Sequence, residues 1–392
     1  MRDHLPNPEA GTPIAPFPPA TSVVHVGPHK TGTTAVQASM HAARERLGEH
    51  GVRLPSPKRN PVDEVREGVG SNPRDPARPA WSRLVAQFAE NDDRVDVVSS
   101  EFFADADDRA CRRVVSDLGG PQAHVLITLR PLAKIMPSQW QQHVQSGMHT
   151  PYEEWLAELL RPDTDDRASA IFWHRHRHDA FVERWTAAAD PERVTVLVVD
   201  DSKPERLLRD FEAMLGLPEG TLRNEKNATN RSLTAGETEA IRRTAAAFEQ
   251  RQWPKELFRE YIRYGVVPRI KTNRKPGPGE AKIATPAWAL DRAAEIGAEM
   301  ADRIAASGVR VIGDLGVLRG DDIKAAEPGE PLIDPEATVQ AIVACMNVAM
   351  KHYDATAPRP EAEPEPGGAR DSLLRIVTQR ARGRLSRNRA KR

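Results

Sequence analysis

Eight consecutive residues, Gly27–Thr34 (GPHKTGTT), bring a lysine, three threonines and two glycines together. Backbone amides of such a loop cradle a phosphate, a following helix N-terminus adds positive potential, and the lysine adds a full charge. Against the nucleotide-triphosphatase pattern GxxxxGK[ST], Gly27 and Gly32 fall on the two glycine positions and Thr34 on the hydroxyl position. Thr33 stands where the lysine belongs, and Lys30 lies three positions earlier. In the triphosphatases that lysine reaches the β- and γ-phosphates and the hydroxyl holds magnesium. A cation inside the loop suits instead a donor with one 5′-phosphate and a transferable group, without obligatory metal. A P-loop kinase or nucleotide hydrolase with a displaced lysine is the alternative.

The loop works only if a strand delivers the chain to it and a helix leaves from it. Ser22–Val26 (SVVHV) is a short apolar strand and Ala35–Arg46 is helical in character. Further strands are expected at Val95–Ser99, Ala123–Leu129 and Val194–Val199. Helical patterns cover Trp81–Ala89, Pro204–Leu215, Ala235–Gln250, Pro286–Ala306 and Pro335–His352. Apolar strands separated by helices predict an α/β fold: a P-loop-type parallel sheet with helices on both faces, plus a helical C-terminal extension. Residues 55–80, rich in Pro, Asn, Asp and Gly, read as a long loop.

The segment Pro28-His29-Lys30-Thr31-Gly32-Thr33-Thr34 resembles the 5′-phosphosulfate loop of sulfotransferases that use 3′-phosphoadenosine-5′-phosphosulfate, PAPS. The resemblance spans about residues 20–235. It implies that Lys30, Thr31, Gly32, Thr33 and Thr34 bind the donor. The family's second signature is an arginine at a later strand end and a serine eight residues on. Here these are Arg130, directly after AHVLITL, and Ser138. A guanidinium fork and a hydroxyl both suit a 3′-phosphate dianion. Two departures stand out. Pro131 follows Arg130 directly, and Pro137 precedes Ser138. Proline belongs in a first helical turn, so a helix is expected to start near Pro137, with Ser138 in that turn.

Sulfuryl transfer needs a cation at the bridging oxygen and a base for the acceptor's proton. Lys30 is the cation. Glu101, just past the strand Val95–Ser99, is at a strand end facing the same crevice, and the resemblance gives such a glutamate the role of base. His29, beside Lys30, is the rival base. The implied acceptor is a hydroxyl on a carbohydrate, glycolipid or secondary metabolite. The aromatic residue that stacks on adenine in many members is missing, since Ala35 stands there.

Other features invite a role. Trp173-His-Arg-His-Arg-His178 looks like a metal tract, but the flanking Phe172, Phe181 and Trp185 read better as an amphipathic helix with exposed imidazoles. Lys134, Gln141, His143 and His149 are rim residues of the second loop. Asn230 and Arg231, before a helix, either reach the donor or acceptor or form a simple turn. Lys271, Arg274 and Lys275 sit in a basic Pro/Gly loop without the family's glycine spacing.

Of 392 residues, 56 are Lys or Arg and 56 Asp or Glu, so no global field argues for nucleic acid. Two cysteines exclude a disulfide scaffold, and no CxxC pair suggests zinc. Mean hydropathy is −0.57, the first residues lack the apolar core of a leader, and no stretch reaches the ~20 apolar residues of a membrane span. A bacterial, cytoplasmic protein is expected. The expected organisation is a flexible arm at 1–20, a sulfotransferase-like core at 21–235, a helical extension packed on the core at 236–353, and a disordered linker with a basic tail at 354–392. That tail, with nine Arg/Lys against Asp371 over Arg370–Arg392, either touches anionic surfaces or is a solvated solubilising tail.

Overall fold

A computed structural model describes residues 13–70, 79–88, 93–161, 166–224, 231–325 and 331–356. The expected linker and tail beyond 356, Asn230, and part of the 55–80 loop lie outside the described residues. Contacts divide the chain into two compact units, residues 1–344 and 345–392. The candidate site residues all fall in the first.

That unit is built on six parallel strands: β1 (Ser22–Val26), β2 (Val52–Arg53), β3 (Val95–Ser99), β4 (Ala123–Leu129), β5 (Val194–Val198) and β6 (Arg310–Ile312). Their order is β2-β3-β1-β4-β5-β6. β1, β3, β4 and β5 are buried along their whole length, which is why they read as unbroken apolar runs. Successive side chains point to opposite faces, and each face builds its own core. One collects Val24, Val125, Ile127 and Val196 under the helices Asp108–Asp117 and His178–Ala189. The other collects Val23, Val97, Leu126 and Leu197 under the helices Thr33–Ala42 and Arg206–Met214. The sheet is therefore covered by helices on both faces, as the sequence predicts.

Two strands were not legible in advance. β2 has two residues and β6 three, too short to show a period. β6 falls within 236–353, so the sheet draws its sixth strand from that stretch and pairs it with β5. At the other end, Phe17 is buried, and its amide donates to the Met214 carbonyl at 2.8 Å. Within the expected 55–80 loop the chain makes a helix, Val62–Gly68, which opens on Asp63 and Glu64 and buries Val65.

Two corrections concern the elements near the site. The helix after Arg130 runs Leu132–Val144, with Pro137 inside it and Ser138 in its second turn. An interior proline costs about 3 kcal/mol. The helix nevertheless continues, because Leu132, Ala133, Ile135 and Met136 are buried before the proline and Gln139, Trp140 and Val144 after it. The histidine tract is not one helix with exposed imidazoles. It breaks at Arg177 between the helices Arg167–His176 and His178–Ala189, and His176 and His178 are both buried.

Candidate donor and transfer site

Three strands side by side end at the site. β1 runs into the loop, β3 into Ser100–Glu101, and β4 into Arg130. Open parallel sheets bind ligands at this edge, because connecting loops and helix N-termini converge there. The loop's shape is set by close approach. A Cβ on Gly27 would lie 2.5 Å from the Thr33 hydroxyl and 2.7 Å from that of Thr128, so only glycine fits. Gly32 has φ +90° and caps the helix Thr33–Ala42 with no side chain of its own. Lys30 also has positive φ, at 76°, which is uncommon for a residue with a Cβ and marks a held conformation.

A buried hydroxyl–imidazole network supports the loop from below. Thr31 donates its hydroxyl to the Pro28 carbonyl at 2.8 Å and lies 3.0 Å from the Thr128 hydroxyl. Thr128 lies 3.3 Å from His25 Nε2, and His25 Nδ1 is 2.7 Å from Ser99 Oγ. Burial pushes the His25 pKa down to about 3, so the ring is neutral and serves as one donor and one acceptor. Thr33 is buried too, its hydroxyl 3.4 Å from the Gly27 carbonyl. Thr31 and Thr33 therefore brace the loop, while Thr34 is exposed.

Lys30 forms no ion pair among the described residues. Burial and the neighbouring Lys271 push its pKa down, Glu101 pulls it up and Arg130 down, to a net value of about 8. Between about 8 and its ordinary 10.5 the unfolded chain holds more protons than the folded one. In that window the Lys30 contribution to stability rises with pH. An anion at the loop favours the charged amine and raises its pKa again. Binding of adenosine 3′,5′-bisphosphate near about pH 8.5 should therefore take up protons. Titration calorimetry in two buffers of different ionisation enthalpy reads this uptake. It should shrink in Lys30→Met, and an unchanged uptake there would contradict the role given to Lys30.

Glu101 opens a short 3-10 turn capped by Ser100. Its Oε2 accepts hydrogen bonds from Asn60 Nδ2 at 2.8 Å and Gln37 Nε2 at 3.3 Å. The Ser100 hydroxyl donates to Asn60 Oδ1 at 2.9 Å and so orients that amide. Oε1 is left outside both bonds. His29 packs edge-on against Phe102 with ring centres 5.4 Å apart. Burial, with Arg175, Lys30, Arg66 and His143 nearby, pushes its pKa down to about 3. Its Nε2 is buried with no partner among the described residues.

Arg130 and Ser138 touch the site differently. Arg130 gives Nε and Nη2 to Asp201 Oδ2 at 2.9 and 2.7 Å, and Nη1 to the Lys30 carbonyl at 3.1 Å. Three of its five N–H donors are thus in use, leaving one on each terminal nitrogen. Ser138 lines a cleft of about 260 Å³ together with Lys30, Arg231, Arg263 and Lys271. Arg130 meets the loop at the Lys30 carbonyl and does not line that cleft.

Several of these residues carried no readable signal. Gln37 and Asn60 orient Glu101 from separate elements, and Arg263 sits in a π-helical segment, Phe258–Val266. Gln141 is buried and clamps the chain before the helix Ala235–Gln250, donating to the Leu233 carbonyl at 3.0 Å and accepting from the Leu233 amide at 3.1 Å. Arg274, read as a possible ligand, is instead buried in an ion cluster with Glu237, Glu280 and Asp334. Burial alone would lower its pKa, but the bonds to Glu280 and Glu237 outweigh that and raise it. Among the described residues no group of three His, Cys, Asp or Glu is placed to hold a metal ion, and no helix is long and apolar enough to cross a membrane.

No protein-family model matches the chain, and no curated protein matches it. Among solved structures it is similar to the crystal structure of a sulfotransferase from Alicyclobacillus acidocaldarius. The two are 18% identical, and the match covers 65% of this chain and 97% of that one, with a TM-score of 0.37. The overlap is loose, and the loop and cleft residues carry the functional conclusion.

Proposed function

We propose that this chain is a sulfotransferase that moves a sulfuryl group from PAPS to a hydroxyl acceptor. The observation that carries the proposal is Lys30: a half-buried cation, without an ion-pair partner among the described residues, inside a glycine loop whose triphosphatase lysine position is filled by Thr33. A triphosphatase needs a cation at that second place, and here the side chain is a hydroxyl turned toward the Gly27 carbonyl. In the proposed reaction the open amides at Gly32–Thr34 hold the 5′-phosphate. Lys30 stabilises charge on the oxygen that bridges phosphorus and sulfur. The remaining donors of Arg130 and the Ser138 hydroxyl hold the 3′-phosphate.

Glu101 takes the acceptor's proton as the acceptor oxygen bonds to sulfur. The bond from sulfur to the bridging oxygen breaks, and adenosine 3′,5′-bisphosphate leaves in line. His29 is the weaker choice of base, because its Nε2 is buried, whereas Glu101 Oε1 lies outside the two bonds that orient its carboxylate. The test is an acceptor screen with sulfur-labelled PAPS, run on the wild type and on Glu101→Gln. Label should move to a hydroxylated acceptor, and Glu101→Gln should lower the rate by about a hundred- to ten-thousand-fold. Transfer at an undiminished rate in Glu101→Gln would remove Glu101 from its role. No transfer to any acceptor class would count against the enzyme itself.

A further inference from the structure

The cleft beside Lys30 has a composition that narrows the acceptor. Ser138, Gln141, Gln142, Gln145 and Ser146 all line it. Ser138, Gln141 and Gln142 share one face of the helix Leu132–Val144, and Gln145 and Ser146 continue that side into the turn that follows it. At 1.5 Å per residue that side, a polar stripe, runs about 10 Å from Ser138 to Gln145. Gln141 is spent on the backbone at Leu233, while Gln142 and Gln145 also line the cleft and carry carboxamides. No aliphatic or aromatic side chain is among the lining residues. An apolar phenol would therefore gain almost nothing from burial here, whereas vicinal hydroxyls match carboxamide donors and acceptors.

The charges point the same way. No carboxylate lines the cleft, while Lys30, Arg231, Arg263 and Lys271 do. Arg231 is neutralised by a two-bond pair with Glu237 at 2.8 Å. Lys30, Lys271 and Arg263 have no ion-pair partner among the described residues. Lys30 is given to the donor's bridging oxygen, and Lys271 lies close enough to depress its pKa. Arg263 stands at the far end of the stripe, where its Nη1 donates to Ser146 Oγ at 3.0 Å. The π-helical turn Phe258–Val266 brings it there; such turns recur at functional sites because they re-aim side chains.

We propose that Gln142, Gln145 and Ser146, with Arg263 and Lys271, bind the acceptor, and that the acceptor is an acidic sugar. This rests on the sulfotransferase reading above. The cleft is small for a ligand site and its Lys30–Ser138 end belongs to the donor, so what remains suits a small polar acceptor rather than an extended apolar molecule. The sugar's acidic group pairs with Arg263, and its ring hydroxyls bond the glutamine amides. One hydroxyl is thereby presented toward Lys30 and the donor sulfur.

The test is calorimetric binding to the full chain. Adenosine 3′,5′-bisphosphate is titrated first, and the saturated protein then meets methyl glucuronide, a hexose phosphate, methyl glucoside or para-nitrophenol. At least one acidic sugar should bind at least about tenfold more tightly than the neutral glucoside and the phenol. A carboxylate and a phosphate source are told apart by which acidic sugar wins. Arg263→Gln should abolish that preference, and Gln145→Leu should weaken both sugars alike. Neither change should alter affinity for the bisphosphate. Equal binding of acidic and neutral sugars, tighter binding of the phenol, or a preference that survives Arg263→Gln would overturn the proposal while the enzyme reading stands. Failure of the bisphosphate to bind would overturn both.

Discussion

Lys30→Ala should lower the rate of sulfuryl transfer by about a hundred- to a thousand-fold, the usual loss when a group aimed at developing charge is removed. The effect should fall on kcat more than on donor KM. Charge on the bridging oxygen grows only as the bond to sulfur breaks, so the lysine binds the transition state more tightly than the ground state. In the proposed reaction the loop amides, Arg130 and Ser138 hold the two phosphates, and all of them remain in the variant. The fold should not suffer, because an unpaired, half-buried ammonium opposes folding more than it supports it. The melting temperature of the ligand-free variant should stay level or rise, as expected where activity and stability compete for one residue. Steady-state kinetics with labelled PAPS and a thermal melt measure both halves. A rate within about threefold of wild type, or a melt that collapses, would remove Lys30 from its place.

Arg274→Ala should cost about 3–5 kcal/mol of stability, the range for removing one partner of a buried charge pair. The side chain is 3% exposed, and the Glu237 and Glu280 carboxylates it binds are 1% and 5% exposed. Without the guanidinium, Glu280 loses its ion-pair partner among the described residues, and Glu237 keeps its pair with Arg231. Glu237 also completes the capping box that starts the helix Ala235–Gln250, through the Thr234 amide. The loss therefore reaches that helix start and the Arg231 edge of the cleft. Denaturant unfolding monitored by circular dichroism gives the free energy, with Arg274→Lys as the partial rescue. A loss below about 1 kcal/mol would mean that the cluster is solvated in a way its burial does not suggest.

The contrast between Lys30 and Arg274 also shows what the sequence could tell. The four long strand segments were legible because a buried parallel strand is a continuous apolar run, and β1, β3 and β4 begin and end where those runs do. The loop was legible because its glycines and Lys30 lie within eight residues. Arg274 misled, since a basic residue in a Pro/Gly stretch looks the same whether it faces a ligand or a buried carboxylate 37 residues away. Pro137 misled for a related reason. Local chemistry puts a proline at a helix start, and only the packing on either side of it keeps this helix whole. The cleft was hidden because Arg263 and Lys271 meet Ser138 and Gln145 only through tertiary contact. The polar stripe itself was present in the sequence at helical spacing. The cations opposite it come from Arg263 and Lys271, far along the chain, and only the fold brings them there.

The ligand proposed for the site is a nucleotide phosphorylated at both the 5′ and 3′ positions. Titration calorimetry of the wild-type chain with adenosine 3′,5′-bisphosphate, adenosine 5′-monophosphate and ATP, each with and without magnesium, tests it directly. The bisphosphate should bind tightest and without magnesium, and loss of its 3′-phosphate should weaken binding by about 10- to 150-fold, the worth of hydrogen bonds to a charged group. Magnesium-dependent ATP binding tighter than that of the bisphosphate, or equal affinity for the bisphosphate and the monophosphate, would contradict it.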